Sequence, residues 1–167
     1  STSVRFNDGT EFPLIGLGVM HMPAEDTPKA IREAVEMGYR SIDTAPVYRN
    51  EPGTGLGIRE CGLPRNQVQV TTKLWNSHHA YDDALRACDE SLDRMGLDYI
   101  DLYIIHWPVP AQDRYVEAWK ALVRLKELGK VRSIGVSNFM PEHLHRIVEA
   151  TGVVPAINQV ECHPSWQ

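Results

Sequence analysis

Three apolar stretches of this chain each end on an ionisable side chain: YRSID on Asp43, VQVTTK on Lys73 and DLYIIH on His106. A tyrosine, Tyr48, sits in the loop just past the first of them. An acid, an amine, an imidazole and a phenol delivered to one place form a proton-transfer set. In the apolar setting VTTKLW, Lys73 needs a carboxylate neighbour, because an unpaired buried ammonium is costly. Asp43 supplies one. A lysine held there favours the phenolate of a nearby tyrosine and lowers its pKa. Tyr48 then becomes a candidate general acid, with His106 donating a hydrogen bond to a substrate oxygen. Each residue also has a plainer reading. Asp43 suits a cap or turn, Lys73 a structural ion pair, His106 a satisfied core histidine and Tyr48 a packed loop aromatic. Their order, at the ends of successive strands, favours the chemical reading.

The elements that must position these residues alternate along the chain. Ser3 to Pro13 reads as a hairpin turning at Asn7-Asp8-Gly9. Strands are expected over 14–17, 39–43, 68–73, 100–105, 131–136 and 156–160. Helices are expected over 27–37, 51–61, 80–95, 115–128 and 141–150, from apolar residues at helical spacing and glycine stops. The segment 51–61 is the weakest helix, since Gly53, Gly55 and Gly57 lower its propensity and Pro52 adds to the looseness. Alternating βα units imply a parallel sheet with helices outside it. Polar residues finishing strand after strand favour a closed (β/α)₈ TIM barrel over an open doubly wound sheet, and chemistry in such a barrel gathers at the C-terminal rim. About six βα strands are visible, against eight in a complete barrel.

The totals fit a single domain spanning residues 1–167, 43% hydrophobic and 23% charged. A net charge of −5 gives no electrostatic footprint for nucleic acid or an anionic membrane. No apolar run approaches the ~20 residues of a membrane span. Cys61, Cys88 and Cys162 form no CxxC pair, which points to a reducing compartment. The expectation is a cytoplasmic protein acting on a small molecule, without metal. A metal hydrolase built on Asp43, His106 and His163 lacks ligand spacing, and His78-His79 read as solvated loop residues.

The segments GYRSIDTAPVYRNE, TTKLW, DLYIIHWP, RSIGVSNF and INQVECHP resemble those of aldo-keto reductases, over essentially the whole chain. IVEATGVVPAINQVECHP and DLYIIHWPVPAQDRYVEAW are most similar to the bacterial 2,5-diketo-D-gluconic acid reductase group. The resemblance implies an NADPH-dependent (NADP+-forming) reduction of aldehydes or ketones to alcohols on a (β/α)₈ barrel. Tyr48 would be the proton donor, Lys73 and Asp43 its tuners, and His106 the group orienting the carbonyl. Ser137, Asn138 and Gln159 would hold the nicotinamide carboxamide, with Asp43 also beside the cofactor. Met20, Trp75, Trp107 and His106 would wall the substrate pocket, Met20 standing where many relatives carry tryptophan.

Relatives are expected to continue for two more βα units bearing the aromatic, loop and basic residues that grip the cofactor. The resemblance therefore leaves two readings. One is the N-terminal portion of an active reductase, monomeric in full-length form. The other is a non-catalytic barrel fragment or binding module, self-associating through open strand edges.

Overall fold

The computed structural model describes residues 3–13 and 16–160. A two-stranded antiparallel hairpin, β1 (Ser3–Arg5) and β2 (Glu11–Pro13), comes first. Six parallel strands follow: β3 (Leu17–Gly18), β4 (Ser41–Asp43), β5 (Gln69–Leu74), β6 (Ile100–Ile105), β7 (Val131–Ser137) and β8 (Asn158–Gln159). They are hydrogen-bonded in chain order, β3-β4-β5-β6-β7-β8. The order decides between the two architectures. Right-handed crossovers that always step to the next strand on the same side lay every helix on one face. A doubly wound sheet must reverse its order somewhere, and this one does not. The described sheet is therefore six strands of a (β/α)₈ barrel.

Five helices cover the outer face: α1 (Thr27–Glu36), α2 (Glu51–Arg59), α3 (Tyr81–Met95), α4 (Tyr115–Glu127) and α5 (Pro141–Thr151). Alternation along the strands divides the apolar residues between two clusters. Val70, Leu74, Tyr103 and Ile105 pack outward with the helices, around buried Trp119, Leu122 and Met95. Leu102 and Ile104 point to the other side, where Phe6 and Phe12 of the hairpin pack on them. The hairpin thus plugs the N-terminal end of the barrel. Asp8 in its turn is tied there by the Ser133 hydroxyl at 2.7 Å and by Lys126 at 3.6 Å.

Several expected boundaries shift. The strand expected over 14–17 is found at Leu17–Gly18, Leu14 and Ile15 lying outside the described residues. Those expected over 39–43 and 156–160 shorten to Ser41–Asp43 and Asn158–Gln159, the residues in parallel register with their neighbours, while Arg40, Ala156 and Ile157 each add a single bond to the sheet. The helix expected to be loose is fully formed over Glu51–Arg59. Its glycines serve packing. A Cβ at Gly53 would lie 2.8 Å from the Ala24 carbonyl, one at Gly57 2.9 Å from Ile31 Cβ, and one at Gly55 would overlap the Met95 backbone. Bare backbone lets α2 press against both α1 and the end of α3. Propensity counted these glycines as a cost, and tertiary contact reverses the sign.

Candidate functional site

Register and alternation bring the ionisable strand ends together. Asp43 pairs with Thr71, and Lys73 follows Thr71 by two residues on the same face of β5. Lys73 Nζ donates to Asp43 Oδ1 at 2.9 Å. The lysine side chain is 6% exposed and the aspartate 37%, so the pair stands at the rim with its ammonium sheltered. Tyr48 ends a short 3-10 turn, Pro46–Tyr48, that Pro46 opens with its fixed φ. Its half-buried ring has Lys73 Nζ 5.4 Å from the centroid.

His106 follows β6, its N–H bonded to the Leu74 carbonyl of β5. Its buried ring lies between two tryptophans, 5.1 Å from Trp75 and 6.0 Å from Trp107 by centroids. Ser137, Asn138 and Gln159 form a connected group on β7 and β8. The Ser137 hydroxyl and the Asn138 N–H both donate to the Gln159 carbonyl, at 3.0 and 2.7 Å. The Asn138 side-chain amide donates to Ser137 Oγ at 3.0 Å and to the His106 carbonyl at 3.3 Å. Asn138 has φ 60°, a left-handed conformation that asparagine tolerates better than most residues. Neither Ser137 nor Asn138 caps a helix, since the residue before α5 is Met140.

Two spaces adjoin these groups. A cavity of about 290 Å³ on the inner side of the sheet is bordered by Asp43, Thr71, Leu102, Phe12 and Gln159. A cleft of about 350 Å³ at the rim runs from Lys73 and Trp75 past Arg49 to Glu51 and Arg94. Met20, in the turn after β3, is 55% exposed. Asp43, Lys73, Tyr48 and His106, and the Ser137-Asn138-Gln159 group, thus stand at one end of the barrel. Among the described residues no group of three or more His, Cys, Asp or Glu is arranged to hold a metal, and His163 lies outside them.

Two features escaped the sequence reading. His79, expected in solvent, is 1% exposed, and among the described residues neither ring nitrogen has a hydrogen-bond partner. Burial, with His78 adding to it, depresses its pKa to about 4. The second is a buried polar pair directly after the Tyr48 turn, Asn50 and Glu51. Two adjacent polar residues opening a glycine-rich helix were the available signal.

Comparisons with known proteins identify the family to which this fold belongs. The Aldo/keto reductase family model matches residues 14–167. An aldo-keto reductase of Mycolicibacterium smegmatis is 52% identical over 164 residues, covering 98% of this chain and 60% of that protein. The methylglyoxal reductase DkgA of Escherichia coli K12 is 48% identical over 166 residues, covering 99% and 60%. A crystal structure of a variant of Gox0644 in complex with NADPH superposes with a TM-score of 0.91 at 52% identity, covering 99% of this chain and 60% of that one. The chain spans about 60% of the length of these curated relatives. On the family model, the identities and the shared fold, the chain belongs to the aldo/keto reductase family.

Proposed function

We propose that this chain carries the proton-transfer centre of an NADPH-dependent reductase that converts aldehydes and ketones to alcohols, with Tyr48 as the proton donor. The observation that carries the reading is the Asp43–Lys73 pair at 2.9 Å, with its ammonium 5.4 Å from the Tyr48 ring. An acid whose proton leaves beside a fixed, sheltered cation has its new negative charge compensated at once, without reorganisation of solvent. Asp43 holds the ammonium in place. His106, held between two tryptophans, orients the substrate carbonyl toward the phenol, and Trp75 and Trp107 exclude water around it. Met20 borders the same pocket from the loop after β3.

The residues of β7 and β8 fit a nicotinamide. A hydroxyl and two carboxamides converge on adjacent strand ends, and an amide ligand needs both donors and acceptors. Ser137, Asn138 and Gln159 would hold the carboxamide, with Asp43 bordering the same cavity as Gln159. The bound reduced cofactor supplies the hydride. The NADPH complex of the Gox0644 variant supports that choice of nucleotide. Methylglyoxal is the first substrate to try, from the name of the Escherichia coli relative.

Carbonyl-dependent NADPH oxidation tests the reading. Tyr48→Phe should lower turnover by about 10²–10⁴-fold, the range of a lost general acid, while NADPH affinity measured by fluorescence titration stays within about twofold of the parent. Undiminished turnover in Tyr48→Phe would remove the tyrosine from this role. Tight NADPH binding without any carbonyl-dependent oxidation in the parent would favour a binding module instead.

A further inference from the structure

The Tyr48 turn is connected to the segments that bear its partners by Asn50 and Glu51, one residue beyond it. Asn50 stands at the start of α2, where an asparagine ordinarily caps the helix. Here it makes no side-chain cap. Its amide nitrogen instead donates to the Val19 carbonyl at 2.7 Å, and its amide oxygen accepts from the Thr44 hydroxyl at 2.8 Å. Thr44 is the residue after Asp43. Glu51, 1% exposed, accepts from the Thr72 hydroxyl at 2.8 Å, from Arg94 Nε at 2.9 Å and from the Ser91 hydroxyl at 3.3 Å. Thr72 is the residue before Lys73. Alternation turns Lys73 inward and Thr72 outward, so Glu51 grips β5 from behind while Lys73 meets Asp43 in front.

We propose that Asn50 and Glu51 are positioning residues that fix the Tyr48 ring relative to the Asp43–Lys73 pair. The proposal rests on the reading of Tyr48 as the proton donor, and it adds what sets the donor's geometry. Glu51 lies on the outer side of the sheet and touches none of the reacting groups. It acts through Thr72, as Asn50 acts through Thr44. Only Arg49 separates Tyr48 from this clamp, and its φ of 57° places it in a left-handed conformation that a free loop would relax. An ion pair such as Glu51–Arg94, whose arginine is 39% exposed, contributes little to stability for its charge alone. Several directed bonds onto the neighbours of Asp43 and Lys73 contribute geometry, and small displacements in an active site are expensive in rate.

The test uses Thr72→Val, which keeps the shape and removes the hydroxyl, together with Asn50→Ala and the conservative Thr72→Ser. Ring ¹³C–¹H signals of Tyr48, assigned by their loss in Tyr48→Phe, are recorded for each variant alongside circular dichroism and carbonyl-dependent NADPH oxidation. The expected result is displaced Tyr48 signals in Thr72→Val and Asn50→Ala, and their return in Thr72→Ser. With them goes a fall in kcat of roughly tenfold or more at a KM for the carbonyl changed by less than about twofold. A purely structural role would lower the melting midpoint and leave the Tyr48 signals superposed on those of the parent, which overturns the clamp. Displacement that Thr72→Ser fails to reverse overturns it as well, since the hydroxyl would then not be responsible. The spectra need no turnover, so they decide the clamp separately from the proton-donor reading, which falls if Tyr48→Phe stays fully active.

Discussion

The two ends of the same six strands are built on opposite terms. At the N-terminal end, each of the five helices is followed within three residues by a glycine at positive φ, among them Gly96 and Gly129. At the C-terminal end, the positive-φ residues in the described loops are His21, Arg49, Val109, Asp113 and Asn138. Glycine adopts that conformation at little cost, whereas other residues store about 1–2 kcal/mol in it. The ion pairs differ in the same sense. At the base, Asp101 accepts from Arg65 at 2.8 Å and from the Val70 N–H at 2.9 Å, and Arg65 goes on to the Tyr99 and Val68 carbonyls. All of these bonds hold the chain together at the base. At the rim, Asp43 receives Lys73 and remains partly open to the cavity that Gln159 also borders. The base is relaxed and closed, and the rim is strained and partly open.

If that division holds, a base variant should cost stability and spare the chemistry. Asp101→Ala leaves Arg65 and the Val70 N–H without their carboxylate. Breaking a buried pair of this kind should cost about 4 kcal/mol in denaturant unfolding. Turnover per folded molecule should not change. A specific fall in kcat would show that the two ends are coupled through β6.

Acid should reach the rim first. The folded-state pKa of His79, about 4, lies below the ordinary imidazole value of 6.5. The native state therefore binds fewer protons there than the unfolded chain does. The stability this contributes is complete above pH 6.5 and is lost as the pH falls from 6.5 through about 4. Its size is about 3 kcal/mol. His79→Gln should flatten unfolding free energy against pH across that window, and an unchanged slope would place the acid sensitivity elsewhere. Asp8, at the base, answers only at lower pH. Burial raises its carboxyl, but the Ser133 and Thr10 bonds and the Lys126 charge outweigh this and leave it lowered. Its stabilisation is present above the ordinary carboxylate range and is lost as the pH falls below it.

The smallest effect isolates the backbone. A Cβ at Gly129 would meet nothing within 4 Å, so Gly129→Ala tests φ 77° alone. Its expected cost is about 1–2 kcal/mol by thermal melting. Gly129→Asn should cost less, because asparagine visits this conformation more readily. Equal costs would mean that the left-handed turn is not what the glycine provides.

The base was legible in the sequence and much of the rim was not, for one physical reason. Helix stops, the Asn7-Asp8-Gly9 turn and the period of the apolar residues are local, and local signals survive in a linear text. The strand ends at Asp43, Lys73 and His106 were readable too, because a charge closing an apolar run breaks the pattern visibly. The structure added contacts between residues far apart in the chain. Gly53, Gly55 and Gly57 looked like weakness in α2 until α1 and Met95 were seen pressed against them. His79 looked solvated until the fold closed over it. Asn50 stands at the N-cap position of α2, yet its side chain serves Val19 and Thr44 instead.

By itself, then, the sequence determined the alternation of elements, the barrel class and the ionisable strand ends on which the proposed proton transfer is built. Side-chain chemistry and periodicity are properties of residues and of their near neighbours. Only the tertiary structure decided that Lys73 meets Asp43 from one side of β5 while Glu51 holds Thr72 from the other. That arrangement depends on the register of parallel strands roughly 30 residues apart, which nothing local in the chain can set.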